Sequence, residues 1–132
     1  MPAVIRFQVS RGDADCALVA LSIALQRSYE DVIAAAARVT RSDRPHNRGF
    51  VVREIKAIAR RLGFTLRLRR AFDVDDDEGI VGFVTDDPQA AGHVAYVKRG
   101  LVWDVDGTVW EIETYSEATG YRPVSLLEVA TL

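Results

Sequence analysis

One cysteine is too few to close an intramolecular disulfide, and with two histidines beside it no Cys-rich zinc site of the usual spacing can be assembled. A run of about 18 apolar residues is also missing, as is an N-terminal charged segment followed by an apolar stretch and a small-residue cleavage site. The expectation is a soluble, cytoplasmic protein without a membrane partner. Internal repeats, low-complexity tracts and linker-like segments are absent, so residues 1–132 are expected to form a single domain. What the chain does have is 48% hydrophobic residues, enough to bury a core without disulfides or metal.

Charge is scarce only as a net quantity. The formal net charge is −2, yet residues 1–70 carry 14 of the 17 basic groups against 6 acidic ones, and residues 71–132 carry 3 against 13. Such polarity can mark a nucleic-acid partner, or two halves that face each other.

The sequence AVIRFQV over 3–9 reads as a short strand, followed by the polar turn SRGDAD. From Cys16 to Leu25, CALVALSIAL is apolar on nearly every helical face, which predicts a helix surrounded by protein, with the cysteine in its first turn. Ser28 and Asp31 have the spacing of a capping box and open a second helix through YEDVIAAAARV. A third helix runs through FVVREIKAIARRL, with an apolar stripe of Val52, Ile55, Ile58, Ala59 and Leu62, basic residues opposite, and Gly63 as C-terminal cap. After Gly63 the period becomes 2: Phe64, Leu66 and Leu68 alternate with Thr65, Arg67 and Arg69. Further strands are expected at IVGFVT, HVAYV, LVWDV, TVWEIETY and near the C-terminus. Helices first and antiparallel strands afterwards predict an α+β domain.

A thiol attacks carbonyls as thiolate, so a nucleophilic cysteine needs a lowered pKa, and a helix N-terminus or an adjacent imidazolium supplies the field. Cys16 sits at such a terminus, although a lone free cysteine more often packs as a small hydrophobe. His93 starts an apolar strand directly after the loop DDPQAAG, where a base can project from a rigid edge. A two-residue turn at Arg99 and Gly100 would pair Lys98 with Leu101. That register sets His93 opposite Asp106, and Asp104 opposite Ala95 on the same face. Either carboxylate is then in reach of the imidazole. Asp in a strand interior is otherwise unfavourable, whereas Asp106 and Gly107 also read as ordinary turn residues.

These residues resemble a family. DADCALVALSIAL is similar to the nucleophile segment of papain-like cysteine peptidases, particularly the bacterial double-glycine leader peptidase group and its phage and bacterial relatives, in which Asp-Cys opens the buried central helix. The stretch GHVAYVKRGLVWDVDG looks like that group's second signature. The resemblance implies a papain-like fold, N-terminal helices packed on a C-terminal antiparallel sheet, with Cys16 as nucleophile, His93 as general base and acid, Asp104 as orienter and Asp106 as the alternative carboxylate. Two positions depart from it. The family usually has glycine after the cysteine, where this chain has Ala17. It usually has an oxyanion-hole glutamine six residues before the nucleophile, where this chain has Ser10, and the nearest glutamine is Gln8. Gln8 fills that role if SRGDAD bulges by two residues.

Three other features carry less. The run DVDDDEG places Asp73, Asp75 and Asp77 at alternate positions, but glycine falls one place late for a calcium loop and Val84 stands where a bidentate glutamate is needed. Arg53, Arg60, Arg61, Arg67 and Arg69 could meet phosphates, but no aromatic platform accompanies them and the pI is near 5.7. A solvated face pairing with the acidic half is the better reading. His46, in a turn-rich loop, is assigned no role. The expectation is therefore a cysteine peptidase or amide hydrolase acting on a peptide or protein through a thioester, needing no cofactor and no metal. The alternatives are a catalytically silent interaction module and, more distantly, a nucleic-acid-binding domain.

Overall fold

The computed structural model describes residues 15–45, 49–87 and 92–130, which form four helices and a six-stranded antiparallel sheet. The architecture is α+β, as the order of helical and strand patterns predicts. Three helices come first: α1 (Cys16–Leu25), α2 (Tyr29–Thr40) and α3 (Val52–Arg61). Strands β1 (Thr65–Arg69), β2 (Glu78–Val84), β3 (His93–Lys98), β4 (Leu101–Trp103) and β5 (Val109–Glu111) follow, then α4 (Ile112–Thr119) and β6 (Arg122–Ala130). The sheet order is β1-β6-β2-β3-β4-β5. The expected strand over 3–9 lies outside the described residues.

Helix α1 has the character its composition demands. Eight of its ten residues are buried, Leu18, Val19 and Leu21 completely. It rests on β3 with α2 and α3 around it, so an apolar residue is favoured on every side. The α2 cap is as predicted: the Ser28 hydroxyl accepts the Asp31 N–H at 3.1 Å. On α3, Ile55, Ile58 and Ala59 are buried, but Val52 at the helix start is exposed, so the apolar stripe is shorter than the sequence suggests. Glu54 reaches back to accept the Val51 N–H. Gly63 leaves the helix at φ +93°.

The core has two parts, one on each face of the sheet. On the helix face, α1–α3 cover Leu66, Ile80, Tyr96 and Leu127. On the other face, Val81, Phe83, Ala95, Val97, Val102 and Leu126 pack under Ile112 and Tyr115 of α4, with Phe72, Val74, Trp110 and Tyr121 at the margin. Helix α4 replaces part of an expected strand. TVWEIETY pairs only through Val109–Glu111 and then coils, because Ile112 and Tyr115, three residues apart, share one helical side that the second face buries, and Gly120 at φ +77° closes the turn.

The tight hairpin has the predicted register: Lys98 pairs with Leu101, Val97 with Val102 and Tyr96 with Trp103. Arg99 and Gly100 both take positive φ, 52° and 76°, as a type I′ turn requires. The ladder ends at Trp103, so neither Asp104 nor Asp106 is a paired strand residue. The C-terminal segment becomes β6, which bridges β1 and β2 at the middle of the sheet.

The two charged halves meet only in part. Arg67 and Arg69 bond Glu128, and Arg69 also lies 3.5 Å from Asp77. Arg53, Arg60 and Arg61 of α3 are exposed and form no ion pair with any described residue. The expectation that the whole basic face pairs with the acidic half holds for β1 and not for α3. In the acidic loop, Asp73 and Asp77 accept backbone N–H bonds from Asp75 and Asp73. No helix among the described residues is long and apolar enough to cross a membrane.

Candidate active site

Cys16 is the first residue of α1 and is half-buried. Its position at the helix start places the thiol in the positive field of the unpaired N–H groups of the first turn. Asp15, the residue before it, is buried and accepts a hydrogen bond from the Tyr29 hydroxyl at 2.7 Å. That bond ties the α1 entrance to α2 instead of capping α1, since the Asp15 side chain makes no cap bond.

His93 opens β3 and shares strand parity with Ala95 and Val97, which belong to the second face. Its Nε2 lies 2.8 Å from Oδ1 of Asp104, both side chains being 15% exposed. The carboxylate is itself fixed: Oδ1 accepts the Val105 N–H at 2.8 Å, while the Asp104 backbone N–H donates to Thr108 at 2.9 Å. With Nε2 committed to Asp104, Nδ1 is the ring nitrogen left for the thiol, and Cys16 and His93 lie close enough for each to shift the other's titration. Three elements distant in sequence therefore bring Cys16, His93 and Asp104 together. Asp106 has a different fate. Its Oδ1 accepts from the backbone N–H and hydroxyl of Thr108, so its carboxylate is spent on the turn, and it is Asp104 that bonds His93.

The electrostatics follow from that geometry. Burial pushes the Cys16 thiol up, but the His93 hydrogen bond, the Val94 N–H, the imidazolium charge and the Ala17 N–H outweigh it and hold the thiol below its ordinary value. Burial alone would lower His93; the hydrogen bonds and charges of Asp104 and Cys16 instead raise it to about 9. Burial likewise opposes ionisation of Asp104, and His93 and the Val105 N–H reverse it, keeping the carboxylate below its usual range. Both shifts run toward a thiolate–imidazolium pair beside an ionised carboxylate.

Two aromatic residues that sequence reasoning did not single out complete the surroundings. Tyr121 stacks on His93, the ring centroids 5.2 Å apart and the planes 19° from parallel. Tyr115, 1% exposed, stacks behind Tyr121 at 6.3 Å and meets Phe83 edge-on at 5.4 Å. Its hydroxyl is buried without a partner at full hydrogen-bond geometry, yet after burial it is Asp104 that most raises its titration. We take this as a close approach to the carboxylate and not a formed bond. Reading TVWEIETY as strand hid Tyr115, and nothing near Tyr121 in the sequence marks it. Gln8, the expected oxyanion donor, and His46 lie outside the described residues. Among the described residues no group of three or more His, Cys, Asp or Glu side chains is placed to hold a metal ion.

No protein-family model matches this chain, and no curated protein matches it in sequence.

Proposed function

We propose that the protein is a papain-like cysteine hydrolase that cleaves a peptide or amide bond through Cys16, His93 and Asp104. The observation that carries this reading is the meeting of thiol, imidazole and carboxylate from the start of α1, the start of β3 and the turn after β4, with His93 Nε2 2.8 Å from Asp104. A half-buried histidine with a carboxylate on one nitrogen and a thiol beside the ring is what a nucleophile, base and orienter require.

In the proposed reaction the Cys16 thiolate adds to the substrate carbonyl carbon. The carbonyl electron pair moves to oxygen, where the Cys16 backbone N–H at the helix start donates to it, with the Gln8 amide as the proposed side-chain donor. The tetrahedral species collapses, the C–N bond breaks, and His93 Nδ1 delivers its proton to the leaving amine. His93, now neutral, takes a proton from water, whose oxygen attacks the thioester and releases the acid and the thiolate. Asp104 stays ionised throughout and holds the imidazole by Nε2. No step calls for a cofactor.

The test is the pH dependence of Cys16 alkylation by iodoacetamide. The expected profile shows reaction well below pH 8, and in His93→Ala the rate at pH 6 falls by roughly a hundredfold or more as the thiol returns toward its ordinary pKa. Equal, ordinary thiol titration in both proteins would remove the basis for the proposal. An activated thiol without hydrolysis of any fluorogenic peptide would favour the interaction-module reading instead.

A further inference from the structure

The thiol hydrolase reading accounts for Cys16, His93 and Asp104 but gives no role to the aromatic pair beside them. Tyr121 stands between α4 and β6, its ring lying flat against the imidazole. The ring does not stand alone: Tyr115 stacks behind it, Phe83 tilts against it at 6.3 Å, and Phe83 and Tyr115 are almost completely buried. An imidazole hydrogen-bonded at one nitrogen by a carboxylate can still rotate about that bond and swing its free nitrogen away from the thiol. A ring pressed on its face and backed by a packed core blocks that rotation.

The groups that face His93 come from every element packed around it: Cys16 from α1, Asp104 from the turn after β4, Tyr121 from the α4–β6 connection, with Tyr115 of α4 one layer behind. Cys16 and Asp104 contribute charge. Tyr121 contributes a π face, which attracts the imidazolium more than the neutral ring. We propose that Tyr121 is a positioning residue of this site: its ring, braced by Tyr115, holds the His93 imidazole in the plane that joins Asp104 to Cys16 and favours its charged form. This deepens the hydrolase reading and rests on it.

The test follows the histidine itself by 15N NMR of the 132-residue chain, with His46→Gln to identify the His93 signals. In the parent protein His93 is expected to titrate near pH 9. Tyr121→Phe keeps the stacked ring and should leave that value within about 0.2 unit, whereas Tyr121→Leu should lower it by roughly half a unit. Tyr121→Trp, with the strongest π face, should raise it by a few tenths of a unit and provides a reading if the Leu variant does not fold. Unchanged titration in the Leu and Trp variants would overturn the proposal. So would a Phe variant that falls as far as Leu. Hydrolysis is not the readout, so failure of this inference and failure of the hydrolase reading are separable.

Discussion

The helix face of the sheet and the face under α4 differ in what they bury and in what they hold. The helix face is filled mainly by aliphatic side chains from α1, α2 and α3, with Leu18, Val19 and Val32 fully enclosed and Tyr29 and Tyr96 as its buried aromatics. The other face is smaller and mixes aliphatic groups with Phe83, Tyr115 and, at its margin, Trp110 and Tyr121. The thiol comes from the first face, at the start of its most buried helix. The imidazole has the strand parity of the second face and is braced by its aromatics, and the carboxylate approaches Tyr115 of that same face. One face thus supplies a rigid platform with a helix dipole, the other the groups that set proton position. They meet where β3 begins, because the first residue of a strand can turn its side chain past the sheet edge.

The comparison can be broken most sharply at Asp104. Asp104→Asn leaves the shape and removes the charge beside His93, so under the proposed mechanism turnover of a fluorogenic peptide should fall on the order of 10³- to 10⁴-fold with the melting temperature near the parent's. A loss under tenfold would mean that the second face does not set the proton position. Leu18→Ala, on the platform, should act the other way. It is expected to cost about 2–5 kcal/mol of stability in urea unfolding, while the folded fraction keeps its low-pH thiol reactivity. Ile112→Val under α4 should cost less, about 0.5–1.5 kcal/mol, and shift the upper inflection of the alkylation profile through Tyr115. Should Leu18→Ala move that inflection and Ile112→Val leave it still, the division of labour drawn between the faces is wrong.

The smallest effect is one of slope. Folding makes the Cys16 thiol easier to ionise and the His93 imidazole harder to deprotonate. A raised His93 stabilises the fold fully below about pH 6.5, and that contribution is lost as pH rises through about 9. A lowered Cys16 stabilises it above the ordinary thiol pKa of 9.0, and that contribution is lost as pH falls through the folded value. Between 6.5 and 9 the raised His93 makes stability fall with pH and the lowered Cys16 makes it rise, so the two slopes oppose each other. In Cys16→Ser the compensation is gone while Asp104 still holds His93 up. Its stability should therefore decline from pH 6.5 toward 9 relative to the parent, measured by urea unfolding at several pH values.

Much of the fold was legible because periodicity survives folding. The all-apolar α1, the Ser28 cap, the Gly63 terminus and the Arg99-Gly100 hairpin are local signals, each satisfied within a few residues. The IETY segment was misread because its β-branched and aromatic residues suit a strand, whereas its helix is stabilised by burying Ile112 and Tyr115 against strands far away in sequence. The choice between Asp104 and Asp106 was likewise open in the sequence. It was resolved by the end of the β4 ladder at Trp103, after which the turn aims Asp104 at His93 and Asp106 at Thr108.

By itself the amino-acid order determined the α+β class, the helix that starts at its one cysteine, and the candidacy of Cys16, His93 and Asp104, since residue type, helix start and strand spacing are all short-range facts. Only the tertiary structure decided that the three join, which nitrogen of His93 is left for the thiol, and that Tyr121 and Tyr115 stand behind the imidazole. Those outcomes depend on how two faces of one sheet are packed, and packing is set by contacts between segments tens of residues apart.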